Sequence, residues 1–456
     1  MPDFTIHPAS YKDPAGFVFE SAGIFYRQVN RTYQETYQQL MQSGLYKILV
    51  QKELLIPHTE KEENLTGDEK AWLILQPAQI PLISYPVEWC FDALKEAALL
   101  TLQVMELALE KGMILKDATA FNIQFIRGRA QLIDTLSFEC YAEQKPWIAY
   151  RQFCESFLFP LLLGNYSGLH FQALLQGYPE GIPVDVAARL LPLKSRFRPA
   201  VWMHVYLQNR VHRAATANAR YAGSFSKTKL LNLVQHLATT IQSLEQKGST
   251  NWSNYYTETI LGEHYLQEKS KIVNNFLHQS KKGQLLDIGA NDGHFSLLAA
   301  KMGFQVIAVD SDPVCINHLY QKAKRDHCDN LLPLCLDITN PTPASGFQNR
   351  ERRSFLQRVQ PDLVMALALL HHLCIVKNLS FTQLASFFAG LAPELIIEFV
   401  PKEDEKTRQL LTRKEDIFPD YTQEQFESAF LQFFSIPEKQ KIPGTERIIY
   451  RMKRNP

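Results

Sequence analysis

Leu285-Leu-Asp-Ile-Gly-Ala-Asn-Asp-Gly-His-Phe-Ser296 runs from an apolar stretch into a turn with two glycines and then into residues of helical pattern. A short apolar run bounded by turn residues reads as a strand buried on both faces, the kind that builds parallel sheets. Gly289 and Gly293 let backbone approach a ligand where a Cβ would collide, and Asp287 near the strand end offers an acceptor. Further on, at the spacing of about 20 residues expected for a ribose-binding acid, Val306-Ile-Ala-Val-Asp310 repeats the strand pattern and ends in a carboxylate. A carboxylate there accepts both hydroxyls of a ribose, so the turn and Asp310 together specify an adenosine-type ligand. A dinucleotide fits less well. The turn is not Gly-x-Gly-x-x-Gly, and a pyrophosphate would sit poorly against Asp287 and Asp292.

Working outward, strands are expected at Leu285–Ile288, Val306–Asp310, Leu331–Asp337, Asp362–Ala366 and Leu395–Val400, alternating with helical stretches. That alternation is the signature of a parallel sheet made of βαβ units. Leu431–Ile436 and Arg447–Met452 read as a closing antiparallel pair. The fourth strand leads into Leu370-His371-His372, where a reacting group would meet the ligand, and Glu398 ends the fifth. Either histidine or Glu398 suits a general base, and paired histidines there suit packing beneath a ligand equally well.

Ahead of this α/β domain the pattern differs. Gly16–Glu20 and Gly23–Val29 read as a hairpin, Thr32–Gln51 as helical, Ala71–Gln76 as a strand and Phe91–Lys111 as a long amphipathic helix stopped by Gly112. Asp117, Asn122 and Asp134 then fall at the spacing of a phosphotransferase proton acceptor and two metal ligands, with Asn122 and Asp134 as the ligands. From Val186 through Leu244 there is no Asp or Glu, while Lys194, Arg196, Arg198, Arg210, Arg213, Arg220, Lys227 and Lys229 make the 194–229 region basic. Such a stretch is either a solvated helical face or a patch for a phosphate-bearing or acidic partner. The linker expected near Gly248 divides the chain into 1–248, α+β with a helical lobe from about 145, and 249–456.

At 456 residues the chain exceeds one ordinary core, and a net charge of +1 gives no global attraction to nucleic acid or membrane. Seven scattered cysteines without a C-x-x-C pair argue against a disulfide framework or zinc site. No apolar run approaches the ~20 residues of a membrane span, and the amino terminus has no basic region leading into an apolar core; a cytoplasmic protein is expected.

Asp-Ile-Gly-Ala-Asn-Asp-Gly, the Asp310 strand end and Leu336-Asp337 resemble the first three motifs of class I S-adenosylmethionine (SAM) methyltransferases. The resemblance implies that Asp287, Gly289, Asn291 and Gly293 lie beside the methionine part of the cofactor, with Asp310 on the ribose and Asp337 near the adenine. The Asp117–Asp134 stretch resembles the catalytic loop and metal-binding Asp of kinase-like, aminoglycoside-phosphotransferase-like folds. This resemblance implies ATP and Mg2+, with Arg27 in place of the phosphate-pairing lysine and Glu35 as its helix partner. The pattern departs from that family in Lys116 before Asp117, Thr135-Leu136 after Asp134, and the lack of a Gly-rich phosphate loop. Across nearly its whole length the chain resembles bacterial methyltransferases related to NoeA-type nodulation proteins. The resemblance is carried by Ile80–Trp89, Leu115-Lys-Asp-Ala118, Ile133–Glu139, Tyr150–Cys154, Asn349-Arg-Glu-Arg352 and Asp416–Thr422. It implies methyl transfer to an undefined small-molecule, glycan-type or macromolecular acceptor. The alternatives are an ATP-dependent phosphotransferase or nucleotidyltransferase and a non-catalytic SAM-sensing binding protein.

Overall fold

The computed structural model describes residues 4–210, 225–247, 262–412 and 417–456. The chain forms two compact units, Met1–Gly248 with Pro343–Ser354, and Ser249–Thr342 with Phe355–Pro456. A single boundary near Gly248 does not provide for the returning segment Pro343–Ser354.

In the first unit β1 (Thr5–Ile6), β2 (Gly16–Ser21), β3 (Ile24–Asn30), β4 (His58–Lys61) and β5 (Ala71–Pro77) form an antiparallel sheet of order β1-β2-β3-β5-β4. Ala22 and Gly23, both at positive φ (51° and 77°), close the β2–β3 hairpin, a two-residue turn whose twist matches its strands. The helical stretch between β3 and β4 is two helices, Gln34–Gln42 and Leu45–Gln51, broken by Gly44 at φ 76°. Helix Phe91–Glu110 buries Leu94, Ala97, Ala98, Met105 and Leu109, and leads through Gly112 into β6 (Met113–Leu115). Two small antiparallel ladders follow: β7 (Ile123–Ile126) with β8 (Arg129–Leu132), and β9 (Phe138–Cys140) back against β6. The remainder is helical around Phe153, Phe157 and Phe159, all fully buried. Truncating one such ring costs about 3–5 kcal/mol.

Pro343–Ser354 packs within this unit. The buried Glu351 carboxylate accepts from the Tyr11 hydroxyl at 2.6 Å, and the Arg352 guanidinium lies 3.9 Å over the Phe121 ring. Gly346 must be glycine, because at φ 84° a Cβ would fall 2.5 Å from the Glu351 side chain.

In the second unit β10 (Gln284–Ile288), β11 (Gln305–Asp310), β12 (Leu331–Cys335), β13 (Leu363–Ala366), β14 (Glu394–Phe399), β15 (Phe434–Lys441) and β16 (Ile448–Arg454) form one sheet. Its order is β12-β11-β10-β13-β14-β16-β15. The first five strands are mutually parallel, and β16 runs antiparallel to both β14 and β15. The order reverses between β10 and β13, and outside the carboxyl ends of strands at such a switch point is where open α/β sheets bind ligands. Among the described residues no helix is long and apolar enough to cross a membrane.

The amide of Phe355 donates to the Thr342 carbonyl at 2.9 Å, so the excursion Pro343–Ser354 leaves and re-enters its unit at one place. A fragment beginning near Thr250 carries that excursion without the residues that bury Glu351. We expect this fragment to aggregate, and the same fragment with Pro343–Ser354 replaced by Gly-Gly to unfold cooperatively on heating. Indistinguishable melting of the two by circular dichroism would contradict this.

Candidate active site

The turn after β10 is built by backbone. Gly289 and Ala290 donate their amides to the Val309 carbonyl at 2.9 and 3.1 Å, and the Asn291 amide donates to Asp310 Oδ2 at 2.9 Å. Positive φ at Gly289 (79°), Asn291 (50°) and Gly293 (77°) makes this run of donors possible. At Gly293 a Cβ would also fall 2.1 Å from Leu319 Cδ1, so this glycine answers to the protein's own packing. Gly289 sits beside Leu369, which follows β13, across the switch point.

Asp310 accepts a second amide, from Asp312 at 2.9 Å. Burial raises its carboxyl above the usual range, while these amides oppose the shift. A carboxylate has about four lone-pair sites, and the backbone donors of Asn291, Ser311 and Asp312 do not use all of them. Asn291 Oδ1 is buried with no hydrogen-bond partner among the described residues. An orphaned buried acceptor in this turn fits a ligand donor, and the set as a whole fits SAM.

Asp287 does not face a solvent-filled turn. It is buried and accepts from the Ser296 hydroxyl on the next helix, and burial pushes its carboxyl up to about 7. Asp337 accepts from the Thr339 amide and hydroxyl at 2.8 and 2.7 Å and pairs with Lys377 at 3.1 Å. Burial works to raise its carboxyl, but these partners outweigh it and hold it low.

After β13 the backbone passes through Ala368 at φ 51°, an unusual conformation for a residue with a Cβ. His371 is fully buried, and neither ring nitrogen has a partner among the described residues. Burial, with His372 beside it (ring centroids 4.3 Å apart), lowers its pKa well below that of a free imidazole. Burial lowers His372 to about 4. Both rings are therefore neutral near pH 7.

Glu398 requires a correction. Its carboxylate is fully buried, paired with Lys269 Nζ at 2.6 Å and Arg447 at 3.5 Å, and accepts from the Tyr265 hydroxyl at 3.1 Å. Burial would raise its pKa, but the two cations reverse that and hold it low, which makes it a poor base. Arg447 also grips Asp404 with two nitrogens, at 2.7 and 2.9 Å. Breaking a buried pair of this kind costs about 3–5 kcal/mol, because the remaining charge is stranded. Sequence reasoning missed this network, although helix Glu263–Gln279 carried a sign of it. Tyr265, Ile272, Val273, Phe276 and Leu277 form the helix's buried stripe, and Lys269 sits among them.

In the first unit Asp117, Asn122 and Asp134 come together. Asn122 Nδ2 donates to Ser137 Oγ at 3.1 Å, and Ser137 Oγ donates to Asp134 Oδ2 at 2.8 Å. Burial, then the neighbouring Asp134 charge, raises the Asp117 carboxyl. Arg27 does not pair with Glu35. Its guanidinium bridges Asp134 at 3.1 Å and Asp13 at 3.5 Å, and Lys116 pairs with Asp13 at 3.3 Å. Glu35 is exposed in the first turn of its helix, where its charge suits the helix dipole. Arg213 and Arg220 of the basic region lie outside the described residues.

Residues 261–422 match the family described as a methyltransferase domain, and the chain is a class I SAM-dependent methyltransferase. It is 33% identical over 459 residues to the nodulation protein NoeA of Rhizobium meliloti (strain 1021), covering 98% of this chain and 95% of that one. The chain belongs to the NoeA family. Among solved structures it is similar to the N-methyltransferase NodS from Bradyrhizobium japonicum WM9, at 14% identity over 43% of this chain and 100% of that one, with a TM-score of 0.32. It is also similar to magnesium protoporphyrin IX methyltransferase from Synechocystis PCC 6803, at 18% identity over 46% and 86% of the two chains, with a TM-score of 0.30.

Asp287 makes stability depend on pH in a definite sense. Its carboxyl rises from an ordinary 3.8 to about 7 in the folded chain, so the folded state holds a proton that the unfolded state releases. Its contribution is greatest below the ordinary pKa and falls as pH rises toward 7, by at most about 1.4 kcal/mol per pH unit. The unfolding free energy of the wild type minus that of Asp287→Asn should therefore decline between those two values and be flat above them. Urea titrations across that range check this, and a difference independent of pH would refute it.

Proposed function

We propose that the second unit transfers the methyl group of SAM to a small-molecule, glycan-type or macromolecular acceptor that reaches the crevice beyond β13. The observation that carries this reading is the turn Gly289–Asn291, locked by three amides onto the end of β11, with Asn291 Oδ1 left without a partner next to Asp310. When bound, SAM supplies an electrophilic methyl on a sulfonium. Asp310 holds the ribose hydroxyls with its remaining lone pairs, Asn291 Oδ1 accepts from the amino group of the methionine part, and Asp337 borders the adenine. Methyl transfer is an in-line displacement that depends chiefly on positioning. His372, neutral at physiological pH, accepts a hydrogen bond from the acceptor's hydroxyl or amine and orients it. His371 packs beneath. Glu398 keeps the helix bearing Tyr265 and Lys269 in place and takes no proton.

Calorimetry with the demethylated cofactor should show binding tighter than millimolar. Asp310→Ala should weaken it at least tenfold, since hydrogen bonds to a charged acceptor contribute about 1.5–3 kcal/mol each. No binding to folded protein would overturn the reading. Binding without transfer of labelled methyl to any extract fraction would favour a SAM sensor.

A second reading rests on the convergence of Asp117, Asn122 and Asp134 in the first unit, which supports a kinase-like phosphotransferase using ATP and Mg2+. Asn122 and Asp134 would hold the ion, and Asp117 would receive the proton. For Asp134 to serve, the ion must displace Arg27, which then turns to phosphate, a group its planar fork suits. Transfer from labelled ATP with magnesium, abolished by Asp134→Asn, supports this reading; its absence in the wild type rules it out.

A further inference from the structure

The first unit carries an exposed apolar surface that neither reading uses. In the short turn Leu193–Phe197 the Leu193 and Phe197 side chains are 71% and 88% exposed, and Trp202, in the segment that follows, is 44% exposed. Met203 and Leu207, in the same segment, are each 37% exposed. Five large apolar side chains, those of Leu193, Phe197, Trp202, Met203 and Leu207, are thus exposed within one short stretch of chain, and large exposed apolar patches mark interaction sites.

These side chains are held outward by what points inward. Ser195 is buried, its hydroxyl 3.2 Å from that of Tyr206, and the Arg196 guanidinium lies 5.0 Å over the Tyr206 ring. The Ser195 amide donates to the Pro192 carbonyl at 2.9 Å, and the Arg198 amide to the Ser195 carbonyl at 3.0 Å. Val201, His204 and Val205 fill the buried side of the following segment. The turn is thereby fastened to that segment, and Leu193 and Phe197 cannot fold back without undoing it.

Charge identifies the occupant. Lys194, Arg196 and Arg198 alternate with Leu193 and Phe197 and are all exposed. No acid occurs between Asp185 and Glu245, and Asp185 itself is paired with Arg189 at 3.3 Å. Exposed apolar side chains interspersed along the chain with lysine and arginine, in a stretch of sequence without an acid, complement a surface that offers hydrocarbon below a layer of negative charge. Nucleic acid would use the cations and the two rings but gains nothing from Leu193, Met203 and Leu207, since base stacking needs π faces. We propose that Leu193–Leu207 docks this protein peripherally on membranes containing anionic lipid.

The test is sedimentation of the full chain with vesicles. Phosphatidylcholine vesicles with roughly one third phosphatidylglycerol should pull it down at low salt, while pure phosphatidylcholine vesicles should not. Raising the salt to about 0.5 M should reduce binding several-fold. The double variant Leu193→Ser with Phe197→Ser should lose roughly tenfold or more in binding, as should Lys194→Gln with Arg198→Gln. Because these side chains are exposed, both variants should melt at the wild-type temperature. No binding to anionic vesicles, equal binding to neutral ones, or binding indifferent to both double variants would overturn the proposal. So would dimers, seen by light scattering without lipid, that the Leu193/Phe197 variant dissociates, or retention by single-stranded RNA that vesicles do not relieve.

Discussion

Three successive amides, those of Gly289, Ala290 and Asn291, donate to the last two residues of β11, and the methyltransferase site depends on this arrangement. Two adjacent parallel strands must end together for their loops to form one floor, and here the turn of β10 is tied to the end of β11. The cost is a backbone with positive φ at Gly289, Asn291 and Gly293, which the hydrogen bonds and the packing of Leu319 offset. The floor is fastened by the protein's own hydrogen bonds, and a preformed site leaves less ordering to be done on binding. Asp310 takes part twice, as acceptor for the turn through the Asn291 amide and as acceptor for the Asp312 amide that follows its own strand.

The opposite wall is organised by buried charge. Lys269, Arg447, Glu398 and Asp404 balance one another, with the Tyr265 hydroxyl between them. Charges this deep are tolerated only when paired and hydrogen-bonded, so each fixes the position of the others. The helix before β10, the end of β14, the residues after it and the start of β16 are all held by this group. A carboxylate used in this way is withdrawn from proton transfer, which explains how a strand-end glutamate that reads as a base is a brace. In the first unit Arg27 shows the same principle: it lies between Asp13 and Asp134, the nearest carboxylates, and leaves Glu35 to solvent.

Much of the second unit was legible in the chain because parallel strands covered on both faces are continuous apolar runs, and β10, β11, β13 and β14 each lie within a residue or two of their expected bounds. The expected third strand stops at Cys335, where Leu336 turns its amide to the Asp310 carbonyl at 2.8 Å. Thr32–Gln51 reads as one helical stretch because its apolar spacing continues past Gly44, yet the left-handed backbone there divides it. The excursion Pro343–Ser354 carried no local sign, since its partners Tyr11 and Phe121 are remote in sequence.

The sequence by itself determined the order of elements, the glycine turn and the acid at the end of β11, because these follow from side-chain period and from backbone freedom, which are local properties. Only the tertiary structure decided what each polar group does. Whether Glu398 is free or paired with Lys269, whether Gly293 lies against Leu319, and whether Arg27 meets Glu35 or Asp134 depend on which groups are brought within a few ångströms and removed from water. Burial and charge pairing set the protonation of His371, His372 and Asp287, and neither is a property of a residue read alone.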